Sequence, residues 1–219
     1  MNVASAQHPS SDWSLDRLSR HFGGIPAERI LRDPEPGTAT EDDLLRRDGV
    51  GRTCELIDRC LVEKAMGASE SLIAGILIQY LRNYLDARPL GIALSSDGTI
   101  KLEQGLVRAP DACFISWDSI GSDDFPEAAF PLLPIDLAIE VVSRSNTVKE
   151  IARKIDEYFA HGTKLAWVID PKKNVVDVYR SPTDKKRLAE GQTLRAPKVL
   201  PGFSIPVSKL FSGFRRPKS

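Results

Sequence analysis

Residues 134–158 read PIDLAIEVVSRSNTVKEIARKIDEY, and their pattern predicts a strand, a capped turn and a helix in succession. Leu137, Ala138, Ile139, Val141 and Val142 form the apolar run of a strand buried on both faces. Glu140 interrupts it. An ionised carboxylate left unpaired in such a strand costs several kcal/mol, so Glu140 requires either a cation or a raised pKa that keeps it protonated. Thr147 and Glu150 have capping-box spacing, with Thr147 as N-cap and Glu150 reaching back to the open backbone amide. From there Ile151, Lys154, Ile155, Tyr158 and Phe159 fall on one helical face. Lys154 therefore occupies a position where the pattern calls for a core residue, on the face that packs against the strand of Glu140. On these residues alone a structural role, either an ion pair between strand and helix or a lysine stem lying on the core with its ammonium in water, carries the same weight as a functional one.

Outward from this stretch, Val107-Arg-Ala-Pro-Asp111 leads into the small apolar strand Ala112–Ser116, with Pro110 suited to a strand entrance and Asp111 at its mouth. The segment from Asp118 to Pro134 reads as a surface loop. Beyond the helix, Leu165–Ile169 is a second buried strand and Val175–Tyr179 alternates as an outer strand does. Upstream, Glu55–Ile57 and Leu61–Lys64 flank Asp58-Arg59 as the two strands of a hairpin. Ser69 is placed to cap a long helix whose stripe includes Ile73, Leu77, Leu81 and Tyr84. Ile92–Leu94 and Thr99–Leu102 read as a further hairpin across Ser95–Gly98.

Residues 1–50 read as an N-terminal arm: a disordered start, a short helix carrying Leu15, Leu18 and Phe22 and stopped by Gly23-Gly24, a proline-containing extended connector, and a helix opened by Thr40. The main domain is expected over 51–212, with a basic tail over 213–219. The arm shows packing features and no chemistry of its own.

Composition narrows the function classes. The 219-residue chain has 30 basic and 30 acidic residues, so no overall field favours a polyanion, and contact with nucleic acid must rest on local charge. Cys54, Cys60 and Cys113 lack metal-ligand spacing, and the three histidines are remote from them in sequence, which argues against a zinc site. The opening MNVASAQHPSSDWS has no signal-peptide pattern, and no apolar run approaches the ~20 residues of a membrane span. A cytoplasmic location without membrane association is expected.

Two carboxylates converging at strand ends can hold a hard divalent cation, and a nearby ammonium can orient water or stabilise developing charge. The run APDACFIS, then PIDLAIEVVSRSNTVKEIARKIDEYFAHG, LAWVIDP, VVDVYRSP and VLPGFSIPVSKLF resembles the Uma2 family, a branch of the PD-(D/E)xK nuclease superfamily. The similarity extends over roughly residues 15 to 212, including GGIPAERI and CELID. It implies a restriction-endonuclease-like α/β fold with a central mixed β-sheet flanked by helices. It further implies a Mg2+- or Mn2+-dependent endonuclease acting on DNA, with RNA open on the same metal chemistry, and a homodimer if both strands of a duplex are cut. A catalytically inactive nuclease fold serving as a binding or assembly module is the alternative.

Carried over, Asp111 matches the aspartate of PD and Glu140 the acid of (D/E)xK. The lysine of that element would fall at position 142, where this chain has Val142. Lys154 then takes its role from the following helix; Lys149 is the second choice, in the first turn and off the apolar face. Some versions of the fold add an acid from the first long helix, which makes Glu70 a third metal-ligand candidate, although an acid there is also accounted for by the helix dipole. Glu55 is an accessory candidate that reads equally as a solvated strand residue. Tyr158 is another, its plainer role being packing. Many relatives carry glycine in the turn after ELID, where this chain has Arg59. Ser143, Ser145 and Asn146 suit the turn and cap.

Overall fold

A computed structural model describes residues 9–10, 12–47, 50–65 and 67–214. The start of the chain and the basic tail read as separate segments thus fall largely outside the described residues. In chain order the helices are α1 (Leu15–His21), α2 (Glu41–Arg46), α3 (Ala68–Ala87), α4 (Trp117–Ile120), α5 (Val148–Ala160) and α6 (Val207–Phe211). The strands are β1 (Cys54–Ile57), β2 (Cys60–Glu63), β3 (Gly91–Ser95), β4 (Ile100–Glu103), β5 (Leu106–Arg108), β6 (Ala112–Ser116), β7 (Leu137–Val141), β8 (Leu165–Asp170), β9 (Val175–Tyr179), β10 (Lys185–Ala189), β11 (Thr193–Ala196) and β12 (Leu200–Pro206).

The six-stranded central sheet has the order β10-β9-β8-β7-β6-β3. Only β7 and β8 pair in parallel, and α5 is the crossover between them. Alternation along β7 sends Leu137, Ile139 and Val141 into a core shared with α3, α6 and the β11–β12 hairpin. Ala138 belongs to a second core on the opposite face, shared with α5 and the N-terminal arm, and Glu140 has the same parity. A smaller sheet, β2-β1-β5-β4, lies over that second face and buries its far side with Leu44 of α2.

The hairpin of β1 and β2 forms as expected, with Glu55 opposite Val62 and Ile57 opposite Cys60. Its two turn residues, Asp58 and Arg59, have φ of 49° and 59°. Such left-handed backbone costs a side-chain-bearing residue roughly 1 kcal/mol. Here Arg59 O accepts hydrogen bonds from Gly37 and Ala39 N–H, while Asp58 Oδ2 meets Arg153 and His21, so the turn is held from both sides. Arg59→Gly is expected to stabilise the protein by about 0.5 kcal/mol, read as a higher urea midpoint with unchanged slope.

Three local expectations are corrected. β3 and β4 are both strands but not a hairpin: β3 pairs with β6 in the large sheet, and β4 with β5 in the small one. The tight Glu103–Leu106 turn, with Gly105 at φ 80°, gives β4 a nearer partner than β3. The chain thus changes sheets at Ser96–Thr99 and returns at Ala109–Asp111, where Pro110 ends one ladder before the next begins. Val175–Tyr179 is not the outermost strand; β10 lies outside it, and its sequence KKRLA lacks an apolar alternation because an edge strand is solvated. The N-cap of α3 is Gly67, with no side-chain capping bond, and Ser69 lies inside the helix.

Leu18, Phe22, Ile25 and Ile30 of the arm are buried in the same core as Tyr158 and Ile155. Cys54, Cys60 and Cys113 are free and buried, and burial pushes the thiols up to about 11, 11 and 12, which leaves them protonated.

Candidate active site

β6 and β7 run antiparallel with Ala112 opposite Ile139. Asp111 immediately precedes β6, and its carboxylate lies near enough to Glu140 to push that group's pKa upward. Asp111 N–H donates to Ile139 O at 2.9 Å, and Asp111 Oδ2 accepts from Val141 N–H at 2.6 Å, so the aspartate is clipped to the strand of its partner acid.

Thr147 and Glu150 form the expected capping box, which fixes where α5 begins and which face it turns inward. Ile151, Lys154, Ile155 and Tyr158 are buried, Phe159 is half-buried and Lys149 is exposed. The Lys154 ammonium stands 3.1 Å from both oxygens of Glu140 and 3.1 Å from Glu55 Oε1. Tyr158 Oη donates to Glu140 Oε1 at 2.6 Å. Tyr158 is therefore more than packing, and Glu55 is not solvated; its side chain is 1% exposed.

Two cations escaped the sequence reading. Lys64, just after β2, places its ammonium 2.9 Å from Asp111 Oδ1 and donates to Ser96 O at 3.1 Å, bridging both places where the chain changes sheets. Arg108 of β5 bonds Glu55 Oε2 at 2.8 Å and Glu157 Oε2 at 2.7 Å, and Ala109 N–H donates to Glu55 Oε1 at 3.1 Å. The signal was faint. Lys64 and Arg108 sit at strand ends, where a cation normally reaches solvent, and only the packing of the two sheets closes them in. Glu157 continues outward through Arg153 to Asp58 and His21. The buried centre thus holds Glu55, Asp111 and Glu140 against Lys64, Arg108 and Lys154, with formal charges in balance.

Burial pushes the Glu140 carboxyl above its ordinary value; Lys154 opposes this, and Asp111 and Glu55 add to it. For Glu55 burial also works upward, but Lys154, Arg108, the Ala109 amide and Lys64 outweigh it and hold the carboxyl well below the usual range. Lys154 is raised: burial disfavours its charge, yet Glu140 and Glu55 more than compensate. Burial and the Glu140 carboxylate keep the Tyr158 hydroxyl protonated. A carboxyl depressed on folding contributes stability that is present above its unfolded pKa, about 4.3, and lost as pH falls through the folded value. The destabilisation caused by Glu55→Gln should therefore be full at neutral pH and shrink on acidification below about pH 4.3. A difference in urea midpoint that stays constant through that window would show that Glu55 is not ionised in the fold.

Glu70 lies in the first turn of α3, half-buried, with its Oε2 close against Gly67. It lines a cavity of about 360 Å³ with Ala65, Ser143, Arg144 and Ser145, chain neighbours of Lys64 and Glu140. Among the described residues no group of three or more acids, histidines or cysteines is arranged to hold one ion. Glu70 is thus not assembled with Asp111 and Glu140 into a three-acid cage. Asp111 and Glu140 are the neighbouring carboxylates that would hold a hard cation keeping water in its other positions. Asp111 Oδ1 is buried 2.9 Å from the Lys64 ammonium, with no donor aligned for a hydrogen bond.

Comparison with curated proteins yields no match. Among solved structures, the chain is similar to a protein from Anabaena variabilis titled a putative nuclease belonging to DUF820, with 21% identity, a TM-score of 0.66, and coverage of 79% of this chain and 97% of that one. At this identity the likeness establishes the shared fold. The family model described as "Putative restriction endonuclease" matches residues 41–208, a span that includes Glu55, Lys64, Arg108, Asp111, Glu140, Lys154 and Tyr158. The chain belongs to the Uma2 family.

Proposed function

We propose that this protein is a divalent-metal-dependent endonuclease that hydrolyses phosphodiester bonds in DNA. The observation that carries the reading is the Asp111 carboxylate clipped to the N–H of Val141, the residue after Glu140, with the Lys154 ammonium 3.1 Å from Glu140. The family description and the nuclease-like fold of the solved relative support it. Asp111 and Glu140 would hold Mg2+ or Mn2+. The bound ion supplies Lewis acidity and a water acidified for attack. Lys154, kept charged by Glu140 and Glu55, stabilises negative charge that develops at phosphate. Tyr158 fixes the rotamer of Glu140, and the closed apolar surroundings keep bulk water from weakening these interactions.

Cleavage of supercoiled plasmid with Mg2+ or Mn2+, lost on chelation and reduced at least about 100-fold in Asp111→Asn, is the expected result. Cleavage that persists in the variant would remove Asp111 from the mechanism. Parallel assays on single-stranded RNA decide the substrate class. Cutting both strands of a duplex calls for two such sites, so we propose a homodimer as the acting species, testable by sedimentation in the presence of duplex.

One observation favours a second reading. Each charge at the centre already meets an opposite charge within the protein, as in a structural ion cluster of a binding or assembly module. Calorimetric titration with Mn2+ separates the two readings: uptake by the wild type and none by Asp111→Asn supports the nuclease, and no uptake by either supports the module.

A further inference from the structure

The stretch of the arm around Gly23–Leu31 precedes the family-matched span, yet it touches the elements that carry the site. Arg29 ends a short 3-10 turn, is 3% exposed, and forks onto Glu150 with bonds of 2.7 and 3.1 Å. Its Nε donates to Glu63 O at 2.8 Å, and a fourth bond of 3.4 Å reaches Ser145 O. Each anchor adjoins a site residue. Glu63 precedes Lys64, Ser145 lies in the turn that leaves the strand of Glu140, and Glu150 stands one helical turn before Lys154 on the same face. A single guanidinium therefore references β2, the β7 exit and the start of α5 to one another.

The surrounding backbone reinforces this contact. Gly23, at φ 85°, comes so near α5 that a Cβ there would lie 3.0 Å from Glu150 N and from Lys149 Cβ. Gly23 O accepts from Thr147 Oγ1 at 2.8 Å, and Leu31 N–H donates to Leu61 O at 2.9 Å. A planar fork fixes angle as well as distance, which an ammonium at the same place does not.

We propose that Arg29 is a positioning residue for the site, setting the seat of α5 so that Lys154 stays between Glu140 and Glu55. The proposal rests on the nuclease reading above and adds to it a residue from outside the matched span. Displacing a charged group in such a site by ~1 Å costs on the order of 100-fold in turnover, so the effect belongs in kcat.

The test uses the full-length protein and compares wild type, Arg29→Lys, Arg29→Gln and, as a control of stability alone, Leu18→Ala, which removes a buried contact of the same arm. Plasmid cleavage gives kcat and KM, and thermal unfolding gives Tm, with assays held well below the lowest Tm. Arg29→Lys should lower kcat at least about tenfold with KM within about twofold, and Arg29→Gln should fall further, whereas Leu18→Ala should keep kcat at a comparable loss of Tm. Should Arg29→Gln not fold, Arg29→Lys against Leu18→Ala carries the comparison. Wild-type kcat in Arg29→Lys, or an equal kcat loss in Leu18→Ala, would make Arg29 a structural residue only and overturn the proposal while the nuclease reading stands. A wild type that neither cleaves nor takes up Mn2+ would overturn both.

Discussion

Lys154→Met should destabilise the protein by about 3–5 kcal/mol at neutral pH, seen as a large fall in the urea midpoint. Methionine fills much of the lysine volume, so the loss is electrostatic. The ammonium is the cation shared by Glu140 and Glu55, and without it Glu140 keeps only the Tyr158 hydroxyl as a donor. Glu55 is better protected, because Arg108 and Ala109 N–H remain. Adding Glu140→Gln to Lys154→Met should therefore recover roughly half of the lost stability, a coupling expected only for groups in direct contact. Strictly additive effects would show that the pair does not interact in solution. Lys154 also sets an alkaline limit with a definite sign. Its folded pKa is raised, so its contribution is complete below the unfolded value of about 10.4 and disappears only as pH rises through the folded one.

Glu140→Gln should behave in the opposite way, lowering cleavage by about 100- to 10,000-fold while changing stability by less than about 1.5 kcal/mol. Burial raises the Glu140 carboxyl, so the fold binds its proton more tightly than the unfolded chain does. By linkage, ionising Glu140 works against folding as pH rises from about 4.3 toward the folded value. Glutamine removes that opposition, still accepts from Tyr158, and leaves Lys154 paired with Glu55. Cleavage at fixed Mg2+ together with urea unfolding checks both halves. Equal losses of stability in Glu140→Gln and Lys154→Met would mean that Glu140 serves the fold as a plain ion-pair partner, with no strain held for chemistry.

Residues 134–158 were legible because their information is local. Thr147 and Glu150 lie three apart and cap the helix wherever it packs, and the 3.6-residue period places Lys154 inward before any partner is known. Alternation along β7 likewise sets Glu140 apart from Leu137 and Ile139. The fold class and the family followed from such elements in their order. The partners did not. Glu55 and Arg108 are 53 residues apart, and Arg29 and Glu150 are 121 apart, so no periodicity connects them. Strand membership failed for the same reason: β3 and β4 each have the composition of a strand, but the choice between hairpin and separate sheets depends on competing ladders elsewhere in the chain. The chain's local pattern thus decided which side chains turn inward. Only the stacking of the small sheet and the arm over α5 decided that Lys64, Arg108 and Glu55 are shut away from water, because burial and charge pairing belong to the assembled layers and to no single segment.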